Sequence, residues 1–376
     1  MNPFRYGEVV VAGDFCPRPE LVRRLGEHIR SAHKVALLGE RRTGKTSSVH
    51  EACRRTRGVQ LVYAQCWAVK SIADVADRLL KGMSTAQSRR GWLERVGSLV
   101  ARLRPTLEYD ALTGAPSLSL APGVVLPPSG LHAVIDAIEQ LAAHARLAVV
   151  LDEFQDVRGI SDGEALLGEL RARIQRQRDV PWILAGSVRH EMEKLFLLPD
   201  SPFFKSLRIV EVGTIPRQAF QRFLDERFAA GGRVLDAEVW DGIFALSEGN
   251  PSDTQQLCSA LWDTTERCQT VTKEMISVAL RHVFATERKG FESLVGRLTE
   301  NQTKCLKALA RVGGEQPQSK QFLATAGIAL PASAKRALTS LVKLGIVYGA
   351  DRHYKFFDPF FRQWVLSEQA TGAPKT

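Results

Sequence analysis

The chain has 376 residues, 44% hydrophobic and 24% charged, with a formal net charge of +10, which suits two or three folded domains and excludes a disordered or fibrous chain. No apolar run reaches the roughly 18–20 residues of a membrane span, and Met1 to Glu8 lacks the basic-then-apolar layout of a secretory signal, so a cytoplasmic chain with no membrane partner is expected. The six cysteines are scattered without a Cys-x-x-Cys pair, which excludes a zinc-finger or disulfide framework.

In chain order, short apolar runs at 35–38, 60–64, 147–151, 182–186 and 208–212 predict buried strands, with Ala148-Val149-Val150-Leu151 the clearest. Helical patterns alternate with them at 47–55, 71–83, 87–102, 131–145 and 190–196. That alternation predicts an α/β fold with a parallel five-stranded sheet. Segments 104–110 and 116–121 flank Thr113-Gly114 and predict an inserted hairpin, closed by Pro122, Pro127 and Pro128.

Gly39-Glu40-Arg41-Arg42-Thr43-Gly44-Lys45-Thr46 matches G-x-x-x-x-G-K-[ST], lying between a predicted strand and a predicted helix. Gly39 and Gly44 let the loop bend so that backbone N–H groups converge on phosphates, aided by the helix N-terminus. Lys45 is then placed to neutralise the β- and γ-phosphates and Thr46 to ligate Mg²⁺, with Arg41, Arg42, Thr43 and Ser47 completing the expected ATP-binding loop.

The strand at 147–151 ends in Asp152-Glu153. A buried parallel strand delivers such residues to its C-terminal edge, where sheet ligands bind. Asp152 is expected to hold Mg²⁺, and Glu153 to polarise the attacking water. Ser187, ending the 182–186 strand, is a candidate for contacting the γ-phosphate or the water, and equally for capping the next helix. Arg189 and Arg208 are candidates for stabilising transition-state charge, or plain surface arginines.

Beyond residue 213 the pattern turns helical, at 217–230, 237–247, 252–268 and 273–287, predicting an all-α lid domain over 214–290. A winged-helix domain is expected over 291–368, with helices at 299–310, 319–325 and 331–344, then strands flanking a wing at 349–352; 369–376 reads as a disordered tail. From Lys289 onward, 13 Lys and Arg face six Asp and Glu. Lys335, Arg336, Thr339 and Lys343 share one face of the third helix and form a candidate surface for double-stranded DNA. A charged face is also what any solvated helix shows.

These motifs resemble the STAND-class, AAA+-related P-loop ATPases, especially the archaeal-type ATPase family. The loop is similar to its Gly-x-Arg-Arg-x-Gly-Lys-Thr-Ser motif, Leu151-Asp152-Glu153-Phe154-Gln155 to its Asp-Glu-Phe-Gln segment, and Gly186-Ser187 to its Gly-Ser strand end. Phe15-Cys16-Pro17-Arg18-Pro19-Glu20-Leu21 resembles the entry motif, with Pro17 where glycine is usual, and implies that Arg18 binds the nucleotide. Gly249-Asn250-Pro251 resembles the lid motif and implies that Pro251 contacts the base. Where the family often carries an arginine before the last strand, Ser206 stands here, flanked by Lys205 and Arg208. The resemblance implies Mg-dependent ATP hydrolysis driving a conformational change in the chain, acting on DNA, a protein partner or a second copy. A slow nucleotide-gated signalling switch and a DNA-binding regulator with structural ATP remain the alternatives.

Overall fold

The computed structural model describes every residue except 88–90, 111–113, 162, 188, 351–352 and 371–376, and the side chains of 189–190, 350 and 369–370 are likewise outside it. The chain forms two units, Val9–Gly213 and a second made of Met1–Glu8 with Thr214–Thr376.

The first unit runs α1 (Pro19–Arg30), β1 (Lys34–Leu38), α2 (Lys45–Arg55), β2 (Val59–Gln65), α3 (Ile72–Thr85), α4 (Trp92–Leu99), β3 (Thr106–Tyr109), β4 (Pro116–Ser119), α5 (Pro128–Ala142), β5 (Arg146–Asp152), α6 (Gly163–Arg176), β6 (Trp182–Gly186), α7 (Arg189–Phe196) and β7 (Arg208–Glu211). Five strands form one sheet in the order β2-β5-β6-β1-β7, and every ladder is parallel. Both faces are covered. Ala36, Leu38, Val149, Leu151 and Leu184 share a core with residues of α3, α5 and α6, while Val35, Leu37, Val150, Ile183 and Ala185 pack with α1 and α2. Two covered faces explain the unbroken apolar runs of the sequence.

The expected hairpin is present as β3 and β4, paired antiparallel with Leu107 opposite Leu118; part of its connecting turn, 111–113, lies outside the described residues. Of the helix expected over 87–102, residues 88–90 lie outside the described residues, and α4 covers Trp92–Leu99. It begins only after Gly91, whose φ of 85° is left-handed, and a separate 3₁₀ turn follows at Ala101–Leu103.

The second unit contains α8 (Arg217–Ala230), β8 (Val234–Leu235), α9 (Ala237–Ser247), α10 (Pro251–Asp263), β9 (Thr270–Val271), α11 (Lys273–Gly296), α12 (Glu300–Val312), α13 (Lys320–Ala326), α14 (Pro331–Lys343), β10 (Val347–Ala350), β11 (His353–Phe356) and α15 (Pro359–Ala370). Helices α12 to α14 followed by the β10–β11 hairpin give the winged-helix order. Thr299 and Gln302 form a capping box that starts α12.

Four differences from the sequence reading have physical causes. The region expected to be all-helical also contains a two-stranded parallel pair, β8 with β9, whose strands are too short to show a pattern. Helix α11 continues through 290/291, where a domain boundary was expected, because Phe291 is buried against Phe361 and Trp364, with ring centroids 5.2 and 5.6 Å away. Met1–Glu8 groups with the second unit rather than the sheet: Phe4 is buried against Phe228 at 4.6 Å, and Asn2 donates to Ser259 O at 3.1 Å. Finally, α15 extends to Ala370, past the expected start of the tail at 369, and residues 371–376 lie outside the described residues.

Candidate active site

The parallel ladders bring the C-terminal ends of β1, β5 and β6 side by side, so the loops that follow meet at one sheet edge. After β1, the loop from Gly39 turns into α2 through Gly44, whose φ of 83° suits glycine. Gly39 serves a different need. A Cβ there would sit 2.9 Å from Val212 O, so only glycine allows the loop to pass this close to the chain leaving β7. Arg42, exposed, also takes a left-handed φ of 60°. Thr43 Oγ1 donates to Glu40 O at 2.8 Å and closes the turn.

Lys45 is 5% exposed, and its ammonium donates to Gly39 O at 3.0 Å and Glu40 O at 2.7 Å. Burial lowers its pKa to about 8, against the upward pull of Glu153 and Asp152. Thr46 Oγ1 donates to Asp152 Oδ2 at 2.6 Å. The other carboxylate oxygen, Oδ1, accepts from Glu153 N at 3.0 Å. Glu153 has a φ of 51°, a strained value for a residue with a side chain. Its Oε2 accepts from Ser187 Oγ at 2.5 Å and from Gln155 Nε2 at 2.7 Å. Lys45, Thr46, Asp152, Glu153 and Ser187 are thereby brought into one cluster, with the Ser187 hydroxyl turned to Glu153.

Other expected residues sit differently. Ser47 Oγ accepts from Val10 N at 3.1 Å, and one turn along α2 the buried Glu51 accepts from Ala12 N at 2.9 Å. Ser47 therefore holds the chain at 10–12 onto α2. Arg18, 8% exposed, donates from Nη1 to Gly213 O at 2.9 Å, while its buried Nη2 has no partner among the described residues. Arg208 pairs with Val35, three register positions before Leu38, which is ~10 Å along the strand. It lies toward His28 and His33, whose pKa values it helps lower alongside burial, and so away from the P-loop edge. Ser206 accepts from Arg171 Nε at 2.9 Å. The Arg189 side chain lies outside the described residues. In the second unit, Pro251 opens α10 after Asn250, whose side chain accepts from Ser252 N at 3.1 Å. On α14, Lys335, Arg336, Thr339 and Lys343 are exposed and line one hollow of about 690 Å³.

Tyr63 and Gln155 join the cluster of Asp152 and Glu153 although neither is among the residues expected to bind or act. Tyr63 OH donates to Asp152 Oδ2 at 2.9 Å, and a lone polar ring in an apolar strand was the available signal. Gln155, the last residue of the Asp-Glu-Phe-Gln segment, donates from Nε2 to Glu153 Oε2 at 2.7 Å.

The donor set fits nucleotide phosphate and Mg²⁺. Among the described residues no group of three His, Cys, Asp or Glu forms a closed metal cage. A hydroxyl beside a single carboxylate is the sparse oxygen set that Mg²⁺ uses when waters and phosphates supply its other ligands. The unpaired Nη2 of Arg18 and the glycine cradle at Gly39 and Gly44 suit a bound anion.

Residues 29–195 match a family model described as an AAA domain. Residues 289–367 match one described as "Probable winged helix domain". No curated protein matches the chain. Among solved structures the chain is similar to the Walker-type ATPase of Pyrococcus abyssi, at 20% identity and TM-score 0.63, over 97% of this chain and 99% of that one. It is also similar to the ORC1 protein of Aeropyrum pernix, solved in complex with DNA, at 18% identity and TM-score 0.53, over 95% of this chain and 93% of that one. These likenesses show the fold: a P-loop NTPase-like parallel sheet, then a helical region with a winged helix domain. No helix among the described residues is long and apolar enough to cross a membrane.

Proposed function

We propose that the chain binds Mg·ATP and hydrolyses its β–γ phosphoanhydride, in the manner of the archaeal-type ATPases of the STAND class. The observation that carries this reading is the hydrogen-bonded cluster in which Thr46 bonds Asp152 and Glu153 stands next in sequence. The loop from Gly39 to Gly44 and Lys45 hold the phosphates, with Lys45 exchanging loop carbonyls for phosphate oxygens. Thr46 and Asp152 hold Mg²⁺, which supplies charge neutralisation at the transferring phosphoryl group. Glu153 accepts the proton of the attacking water. Ser187, already hydrogen-bonded to Glu153, orients that carboxylate and is within the same cluster as the reacting groups. Arg18, whose Nη2 is buried without a partner among the described residues, serves the nucleotide.

The cycle drives a conformational change that the winged helix passes to duplex DNA or a protein partner. Lys335, Arg336, Thr339 and Lys343 form the DNA-facing surface, supported by their shared exposure on α14. A slow nucleotide-gated switch is the second reading, favoured by one feature: Glu153 Oε2 already accepts two hydrogen bonds, from Ser187 and Gln155. Titration of fluorescently labelled ATP into wild type and Lys45→Ala tests the shared premise. Binding that weakens at least ~10-fold in a folded Lys45→Ala supports it, and equal binding by the two proteins overturns it.

A further inference from the structure

Asp152 Oδ2 accepts two hydrogen bonds, from Thr46 Oγ1 and from Tyr63 OH at 2.9 Å. The sheet makes the second one possible. Strand β2 pairs with β5 so that Tyr63 stands opposite Val150 and Gln65 opposite Asp152. Residues two apart on a strand share a face, so Tyr63 and Asp152 lie on the same side, toward α2. Tyr63 itself is held from three directions. On the opposite face, α3 approaches so closely that a Cβ on Gly82 would lie 2.4 Å from Tyr63 O. The His50 ring of α2 meets the Tyr63 ring edge-on at 5.3 Å. The ladder with β5 fixes its height along the strand.

We propose that Tyr63 is a positioning residue for the metal-ligating carboxylate, fixing Asp152 toward Thr46 before Mg²⁺ arrives with the nucleotide. The proposal rests on the reading of Thr46 and Asp152 as Mg²⁺ ligands given above. Without the phenol, the Asp152 carboxylate loses one of the three hydrogen bonds described for it and gains rotational freedom that metal binding must remove. A hydrogen bond to a charged group contributes roughly a factor of ten or more. Tyr63 touches neither phosphate nor water in this account, so its loss acts on metal affinity and leaves the proton transfer at Glu153 alone.

The test is an equilibrium Mg²⁺ titration of the full chain in the presence of fluorescently labelled ATP, followed by anisotropy, for wild type and Tyr63→Phe. The phenylalanine keeps the ring and its packing on His50, and thermal unfolding of both proteins checks the fold. The expected result is a half-saturating Mg²⁺ concentration raised about 10-fold in Tyr63→Phe, with labelled-ATP binding in excess chelator unchanged. ATP turnover at saturating Mg²⁺ stays within about twofold of wild type. A folded Tyr63→Phe with the wild-type Mg²⁺ midpoint overturns the proposal, as does a loss confined to chelator-containing samples. Asp152→Asn separates the two claims: if it leaves the Mg²⁺ dependence intact, the ligand assignment fails, whatever Tyr63→Phe shows.

Discussion

The Thr46 hydroxyl lies 2.6 Å from Asp152 Oδ2, linking the first turn of α2 to the end of β5 across 106 positions of sequence. That bond joins the phosphate-binding loop to the carboxylate strand. If both groups ligate Mg²⁺, Asp152→Asn reduces Mg²⁺-supported labelled-ATP binding by at least ~10-fold while binding in chelator changes little. Parallel titrations with and without Mg²⁺ read this directly, and equal losses in both would deny Asp152 a metal role.

Gly39 tolerates no side chain in this arrangement, because a Cβ would approach Val212 O to 2.9 Å and Thr43 Oγ1 to 3.3 Å. In Gly39→Ala the loop must move away from the chain following β7. Strain of about 1–3 kcal/mol is expected as a lower unfolding temperature together with weaker nucleotide binding. An alanine variant with wild-type values in both measurements contradicts the close approach.

Glu51 offers a pH test of the contact between α2 and the chain at 10–12. Its carboxyl is held at about 2 by hydrogen bonds from Arg54, Ala12 N and Arg55, with the two arginine pairs at 2.7 and 2.6 Å. A carboxyl whose folded pKa lies below its unfolded value of about 4.3 contributes stability that is present above that pH. This contribution is lost as pH falls from about 4.3 toward 2. Unfolding temperature measured between pH 7 and 3 is expected to drop more steeply for wild type than for Glu51→Gln. Parallel curves would show that Glu51 carries no pH-dependent stability.

The winged helix makes a quantitative prediction. Replacing Lys335, Arg336 or Lys343 by alanine is expected to weaken duplex DNA binding similarly for unrelated sequences and to lower the salt slope by about one per charge removed. Thr339→Ala is expected to change little, since its hydroxyl donates to Lys335 O at 2.9 Å within the helix. Anisotropy with labelled duplex at several salt concentrations measures both. Binding that is unaffected by all three charge removals assigns DNA contact elsewhere or to no part of α14.

The phosphate loop was legible because its chemistry is local: eight adjacent residues between a strand and a helix specify it. The position of Asp152 and Glu153 at the end of a buried strand was legible for the same reason, since they close an apolar run. The central strands β1, β5 and β6 were readable because burial on both faces leaves no polar alternation. Tyr63 was not readable as a partner of Asp152, because that contact depends on the register of β2 against β5, which adjacent residues do not encode. Ser47 illustrates the converse: its place in the loop motif suggested a nucleotide contact, while the fold brings Val10 N to its hydroxyl. The continuity of α11 was hidden by Gly290, a residue that favours helix ends but is carried through by the packing of Phe291.

Hydrolysis itself is the central claim, and Glu153→Gln tests it most directly. The amide keeps the size of the side chain but cannot take the proton of water. Steady-state phosphate release from Mg·ATP is expected for wild type and to fall at least ~100-fold in Glu153→Gln, with labelled-ATP affinity within about threefold. Equal turnover in the two proteins, or no turnover by wild type that binds labelled ATP, would contradict the account.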